Sequence, residues 1–201
     1  AALHVKKRDP AGVMAVMPSD HLVAKVDVFK ESMRTAVAAA KEGTIVTFGI
    51  VPSGPETGFG YIETGQEDSP GVRAAKRFVE KPDLATAQEY VKAGNFVWNS
   101  GMFFFKASKI LDEISAQMPQ LKRGLDKIDK ALLDGREADV LGHVFPTLPS
   151  ESIDYGIMEK AKGIMCVPVD FGWSDLGSWA AAYDLSPRDA DGNAVDGDTV
   201  L

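Results

Sequence analysis

Apolar residues fall along this chain in two alternating styles, short unbroken runs and positions spaced three or four apart. Runs such as Val13 to Met17, Thr44 to Val51, Met102 to Phe105 and Ile164 to Val169 read as buried strands. Val72 to Lys81 reads as a further strand, stopped by Pro82. Between them, Lys25 to Lys41 carries Val26, Phe29, Met33, Val37 and Ala40 at helical spacing and ends at Gly43. Asp83 is placed to cap a helix running to Ala93, Ser108 to Met118 and Leu121 to Leu133 predict two helices divided at Pro119, and Ser152 to Lys162 predicts another. Pro52 to Gly58 is a loop, Tyr61 to Glu63 is extended before a polar tip over Thr64 to Gly71, and Leu141 to Pro149 connects without a clear form. Alternating strands and helices predict an α/β domain. No repeat, low-complexity tract or linker divides the chain, so residues 1–201 are expected to be one domain.

Two carboxylates follow apolar runs and stand out from this pattern. Asp20 lies in Val13-Met-Ala-Val-Met-Pro-Ser-Asp-His21, and Asp175 lies in Phe171-Gly-Trp-Ser-Asp-Leu-Gly-Ser-Trp179. Open α/β sheets bind ligands in the crevice beyond the carboxyl ends of their strands, so both aspartates are expected over one crevice. Gly172 and Gly177 would let the second segment turn tightly, with Trp173 and Trp179 anchoring it in the core. Mg²⁺ is held by one or two protein carboxylates with phosphate oxygens and water completing the octahedron, and Asp20 with Asp175 would suffice. The competing reading makes Asp175 the N-cap of a helix over Ser178 to Tyr183. His21 invites a zinc or general-base reading, but neither His4 nor His143 adds a ligand cluster at metal spacing.

Five segments, in order, resemble those of the sugar-1-phosphate nucleotidyltransferases, and most closely the bacterial-type mannose-1-phosphate guanylyltransferases. They are Met17-Pro-Ser-Asp-His21, Thr57-Gly-Phe-Gly-Tyr-Ile-Glu63, Phe78-Val-Glu-Lys-Pro82, Trp98-Asn-Ser-Gly-Met-Phe-Phe104 and Phe171 to Trp179. The resemblance implies a Rossmann-like mixed α/β sheet of the nucleotide-diphospho-sugar transferase type. It also implies the reaction of GTP with mannose 1-phosphate to GDP-mannose and pyrophosphate, with Mg²⁺ on Asp20 and Asp175. Attack by a phosphate oxygen on the nucleotide's α-phosphorus needs no activated Ser, Cys or His, so the protein's work is alignment and charge neutralisation. Relatives acting on glucose 1-phosphate with UTP or dTTP, or a regulatory subunit that binds sugar nucleotide without turnover, are the alternatives.

The resemblance also assigns substrate contacts to Gly60, Tyr61, Glu80 and Asn99 and a catalytic cation to Lys81, alongside the catalytic Asp20 and Asp175. Gly58 and Gly60 suit close backbone approach to a hydroxyl or phosphate, and equally a plain turn. Glu80 suits sugar hydroxyls and Lys81 a phosphate, although the same residues could be an ordinary exposed pair. Asn99 can donate to and accept from neighbouring hydroxyls, or simply form a turn before Ser100-Gly101. The segment Glu151-Ser-Ile-Asp-Tyr155 resembles a family segment that precedes the last metal strand, and it is expected to cap a helix and touch the rim of the site. Asp170 could stand behind Asp175 as a supporting or competing ligand.

The family's opening glycine-rich loop, basic segment and Pro-Lys pair have no counterpart here. Ala1 to Arg8 reads as the end of a helix, with Lys6, Lys7 and Arg8 near its negative pole and Pro10 and Gly12 as stop signals. The expectation is therefore a fragment lacking the first βα units and the nucleotide-binding loop, inactive alone. An uncovered sheet edge would favour a homo-oligomer. The chain's 45% hydrophobic and 25% charged residues suit a packed core, and a net charge of −7 argues against a nucleic-acid partner. Cys166 is the sole cysteine, so no internal disulfide can form, and it reads as a core thiol. No apolar stretch approaches the ~20 residues of a membrane span, and a cytoplasmic location is expected.

Overall fold

The computed structural model describes residues 1–194, and within them a mixed sheet with helices packed on both faces bears out the α/β expectation. The elements are α1 (Ala2–Arg8), β1 (Val13–Val16), β2 (Leu22–Val23), α2 (Val26–Lys41), β3 (Val46–Ile50), β4 (Tyr61–Ser69), β5 (Val72–Val79), α3 (Leu84–Ala93) and β6 (Phe96–Lys106). They continue through α4 (Ala107–Gln117), α5 (Pro119–Leu133), α6 (Glu137–Val144), a 3₁₀ turn (Phe145–Thr147), a π-helical turn (Asp154–Met158), β7 (Met165–Val169), β8 (Trp173–Ser174) and α7 (Trp179–Leu185). The main sheet has the order β1-β6-β3-β7-β5-β4, with β6 also pairing to β4, and β2 and β8 form a separate antiparallel ribbon. Among the described residues, only β3 and β7 run parallel; every other pairing is antiparallel.

Strand periodicity divides the core between the two faces of the sheet. Met102 and Phe104 of β6 join Val46 and Phe48 of β3 in a cluster that α2 covers with Ala36, Ala40, Phe29, Met33 and Val37. Phe103 and Phe105 point the other way, into a cluster with Ile45, Ile110, Met118, Ile157, Met158 and Ile164. A strand buried on both faces reads as a continuous apolar run, which is why Phe103 to Phe105 shows no alternation. Phe48 and Phe104 are tilted at 4.8 Å and Phe29 and Phe171 edge-on at 5.2 Å between ring centroids. Such geometry sets the positive edge of one ring against the negative face of the next.

The strand β6 is broken in the middle by its own sequence. Val46 and Thr47 pair with Phe104 and Phe103, but Gly49 and Ile50 pair with Asn99 and Trp98, so the register slips by two residues across Ser100-Gly101. Gly101 has φ +69, a left-handed conformation that favours glycine. A bulge strands backbone polar groups inside the protein, and two buried hydroxyls satisfy them here. Ser100 Oγ donates to the Phe48 carbonyl at 3.0 Å and accepts from the Met102 N–H at 3.2 Å, and Thr47 Oγ1 donates to the Met102 carbonyl at 3.0 Å.

Several elements differ from the sequence pattern. The polar tip predicted over Thr64 to Gly71 is largely the outer part of β4, which runs on to Ser69 because pairing with β5 satisfies its backbone even where its side chains are exposed. The strand around Met102 begins six residues earlier, at Phe96, since the bulge interrupts its apolar pattern without ending its hydrogen bonding. The helix predicted over Ser152 to Lys162 contracts to the π-helical turn, and the connecting segment from Leu141 contains the end of α6. Asp83 caps α3 as expected, accepting from the Thr86 N–H at 2.8 Å, and Gly94 ends that helix at φ +72.

The buried hydroxyl at the bulge sets a measurable cost. Ser100→Ala should remove about 1–3 kcal/mol from unfolding, because it leaves the Met102 N–H and the Phe48 carbonyl unpaired in the core. Asp83→Ala should cost about 1 kcal/mol, the usual scale for a lost cap. Urea titrations should show both as a lower midpoint at unchanged slope. A Ser100→Ala loss no greater than that of a substitution at exposed Ser53 would contradict the role given to the bulge.

Candidate functional site

The two predicted metal carboxylates flank the small ribbon rather than the main sheet: Asp20 lies two residues before β2, and Asp175 directly follows β8. After β7 the chain buries Phe171, turns at Gly172 with φ +66, and runs back as β8 against β2. A Cβ on Gly172 would sit 2.7 Å from the Ala24 Cβ, so the close approach of the two segments requires glycine. Leu22 pairs with Ser174 and Val23 with Trp173. The pairing ends there, with Asp20 and His21 leading into β2 and Asp175 leaving β8. Asp20 is exposed and Asp175 half-buried.

Local bonding excludes the other roles considered for these residues. Asp175 is not a helix cap: Ser178 caps α7, accepting from the Ala181 N–H at 3.1 Å. The Asp175 carboxylate instead accepts from the Gly177 N–H at 3.1 Å, a local turn bond that leaves its other lone pairs uncommitted. His21 Nδ1 accepts from Trp173 Nε1 at 3.1 Å, and since an indole N–H only donates, the proton of a neutral His21 lies on Nε2. Asp170 is turned to Lys25, with an O–N distance of 3.0 Å, and that cation holds its carboxyl below the usual range. Trp173 does pack against the core, but Trp179 does not: it is 93% exposed, which corrects the anchoring role expected of it. The helix it opens follows the Ser178 cap outward, so its indole meets no facing element among the described residues.

Gly60, Glu80 and Asn99 form a second cluster. Tyr61 pairs with Val79 on one side and Trp98 on the other, so the preceding positions lie abreast in three neighbouring strands, Glu80 next to Gly60 next to Asn99. The Asn99 N–H donates to the Gly60 carbonyl at 2.8 Å. A Cβ on Gly60 would fall 2.3 Å from Glu80 Oε2, so glycine is needed there to leave room for the carboxylate, not to make a turn. Burial pushes the Glu80 carboxyl above its usual range, the negative charge of Asp154 adds to this, Lys81 opposes it, and Glu159 raises it further. Lys81 is exposed beside this cluster. Tyr61, by contrast, is completely buried, with its hydroxyl donated to the Glu56 carbonyl at 2.8 Å, so its side chain braces the 52–58 loop rather than facing a ligand.

Three aromatic rings missing from the sequence-based site connect the clusters. His21 packs on Trp173 at 5.4 Å, Trp173 on Phe59 at 5.2 Å, and Phe59 on Trp98 at 5.1 Å. The signal was adjacency, since Phe59 precedes Gly60, Trp98 precedes Asn99, and Trp173 lies two before Asp175. Pro18 supplies another link, lying 3.7 Å from the position of a Cβ on Gly101. Among the described residues, the non-glycine residues at positive φ are Lys81, at 47°, and Leu176, at 51°. Each directly follows a candidate carboxylate, and strained backbone of this kind concentrates at functional sites.

The donor set suits a hard divalent cation. Two carboxylates flank the same ribbon, the imidazole of His21 has one nitrogen committed to Trp173, and no group of three or more His, Cys, Asp or Glu is gathered among the described residues. Two protein oxygens with phosphate and water complete an octahedral shell for Mg²⁺, whereas a structural zinc site needs four protein ligands. Cys166 takes no part: it is buried, and desolvation pushes its thiol up to about 12. An apolar cavity of about 820 Å³ lies elsewhere, against α5 and α6, lined by residues such as Leu121, Leu125, Ile128 and Leu141. It contains neither carboxylate pair.

Comparison with known proteins identifies the family. Residues 1–192 match the family model described as nucleotidyl transferase. The chain is 44% identical over 204 residues to xanthan biosynthesis protein XanB of Xanthomonas campestris pv. campestris, strain B100, covering all of this chain and 43% of that protein. It is 41% identical over 211 residues to mannose-1-phosphate guanylyltransferase of Escherichia coli K12, again covering 100% and 43%. A crystal structure from Thermus thermophilus, named mannose-1-phosphate geranyltransferase, superposes with a TM-score of 0.79 at 34% identity, over 91% of this chain and 52% of that one. The chain thus spans less than half the length of these curated relatives. On the strength of the family match across nearly its whole length, the chain belongs to the nucleotidyl transferase family.

Proposed function

We propose that the protein carrying this chain transfers a guanylyl group from GTP to mannose 1-phosphate, forming GDP-mannose and releasing pyrophosphate. The observation that carries this reading is the pairing of two separate clusters on one aromatic-bridged rim, one with two carboxylates and one with a carboxylate, an amide and a lysine. The first suits a metal-bound phosphate, and the second suits a sugar with a phosphate attached. The name of the Escherichia coli relative supplies the base and the sugar.

Each residue then has a role set by its chemistry. Glu80 and Asn99 hold sugar hydroxyls, one as an acceptor and the other as both donor and acceptor, while Gly60 keeps the space between them clear. Lys81 places a compact positive charge by the sugar phosphate. Asp20 and Asp175 would hold Mg²⁺, which when bound supplies neutralisation of phosphate charge. The sugar phosphate is already a nucleophile, so these residues need only align it with the α-phosphorus of GTP and keep the geometry in line. No proton transfer by a side chain is required.

Three measurements on the protein at its natural length test this. Glu80→Ala should raise the KM for mannose 1-phosphate by at least ~10-fold while leaving that for GTP nearly unchanged, because a missing hydroxyl partner is felt by the sugar. Gly60→Ala should reproduce that effect, since its methyl group displaces the Glu80 carboxylate. A rise in the GTP constant alone would reverse the assignment of the two sides. Asp20→Asn and Asp175→Asn should each keep the fold and lower kcat by ~100-fold or more, the scale of a lost preorganised charge contact. Their double mutant should be little worse than either single, as expected for two ligands of one ion. Independent, multiplying losses would argue against a shared cation.

A further inference from the structure

The amide of Asn99 is committed on both ends before any ligand arrives. Its Oδ1 accepts from the Gly101 N–H at 3.2 Å, and its Nδ2 donates to Asp154 Oδ1 at 2.8 Å. One partner can only donate and the other, as a carboxylate, only accepts, so these contacts select one of the two flipped orientations. One amide hydrogen is left over, and the second lone pair of Oδ1 meets only a longer contact from Thr47 Oγ1, 3.5 Å, whose hydroxyl donates at 3.0 Å to the Met102 carbonyl; these are the donor and acceptor that two neighbouring hydroxyls require.

Asp154 is itself held unusually firmly. It opens the π-helical turn, in which the Glu159 N–H donates to the Asp154 carbonyl at 3.0 Å, five residues on. Such wide turns are rare and frequent at functional sites. Ile157 and Met158 anchor this turn in the core beside Ile45 and Phe103, while Asp154 stays at the half-buried surface. Its negative charge, behind burial, helps to push the Glu80 carboxyl above its usual range.

We propose that Asp154 is a positioning residue for the sugar: it locks the Asn99 amide in the orientation that presents one N–H and one C=O lone pair to adjacent hydroxyls. This rests on the reading of Asn99 as a sugar contact given above. Asp154 needs to touch no substrate atom, and what it requires is an acceptor at that point. The neutral amide of asparagine also offers an acceptor, whereas alanine offers none.

Two readouts on the protein at its natural length separate the parts of this inference. The first needs no substrate: the side-chain ¹⁵N amide signals of Asn99, assigned by their loss in Asn99→Asp, should exchange slowly in the wild type and fast in Asp154→Ala. Equal exchange in both would overturn the lock. The second is kinetic: Asp154→Ala should raise the mannose 1-phosphate KM about tenfold with kcat and the GTP KM within twofold, and Asp154→Asn should recover most of that loss. In an Asn99→Ala background, Asp154→Ala should add less than twofold. Equal rises in both KM values, or full effects in the Asn99→Ala background, would make Asp154 merely structural and overturn the proposal. Wild-type protein without turnover of mannose 1-phosphate would instead refute the guanylyltransferase reading, with the exchange result still deciding whether the lock exists.

Discussion

The slip in β6 at Ser100-Gly101 is the constraint on which the rest of the structure depends. That strand pairs with β1, β3 and β4, so any change in its register is transmitted to half of the main sheet. The two-residue offset lets its outer half follow β3 and β1 with four consecutive large residues buried, while its inner half brings Asn99 beside Gly60. A straight strand could satisfy one of these pairings but would carry the other out of register by two residues. Thr47 and Ser100 make the break tolerable by bonding the carbonyls and N–H that it leaves in a dry interior.

Around that break the molecule separates stability from chemistry. The aromatic and aliphatic side chains of β3, β6, α2 and α4 form two cores on opposite faces of the sheet, and none of the candidate carboxylates enters them. The polar groups gather instead at one rim, where strand ends, the β2–β8 ribbon and the π-helical turn meet. Rigid strands on one side and an anchored turn on the other hold Asn99 within hydrogen-bonding reach of Asp154, and a reaction dependent on alignment requires such fixed partners. The cost appears locally: Lys81 and Leu176 sit in left-handed backbone, and burial together with the charge of Asp154 pushes the Glu80 carboxyl up. Both persist because the surrounding strands already determine the path of the chain.

Much of this was legible in the order of residues alone. Apolar runs and helical spacing located β3, β5, β7, α2, α3, α4 and α5, because such periodicities follow directly from burying one face or both. The wording around Asp20 and Asp175 marked both as site residues, and the glycines flanking Asp175 signalled the turn. Assembly of the elements settled the rest. Whether Asp175 caps a helix or closes a turn depended on Ser178 competing for the same N–H groups, and whether Trp179 was core or surface depended on what faces α7. Gly60 reads as a turn former in the sequence, yet its requirement comes from the Glu80 carboxylate on another strand. Asp154 lies 55 residues from Asn99, and no local pattern announces their bond. Local periodicity records which face of an element is buried, whereas contacts between elements depend on register and packing, which only the assembled sheet supplies.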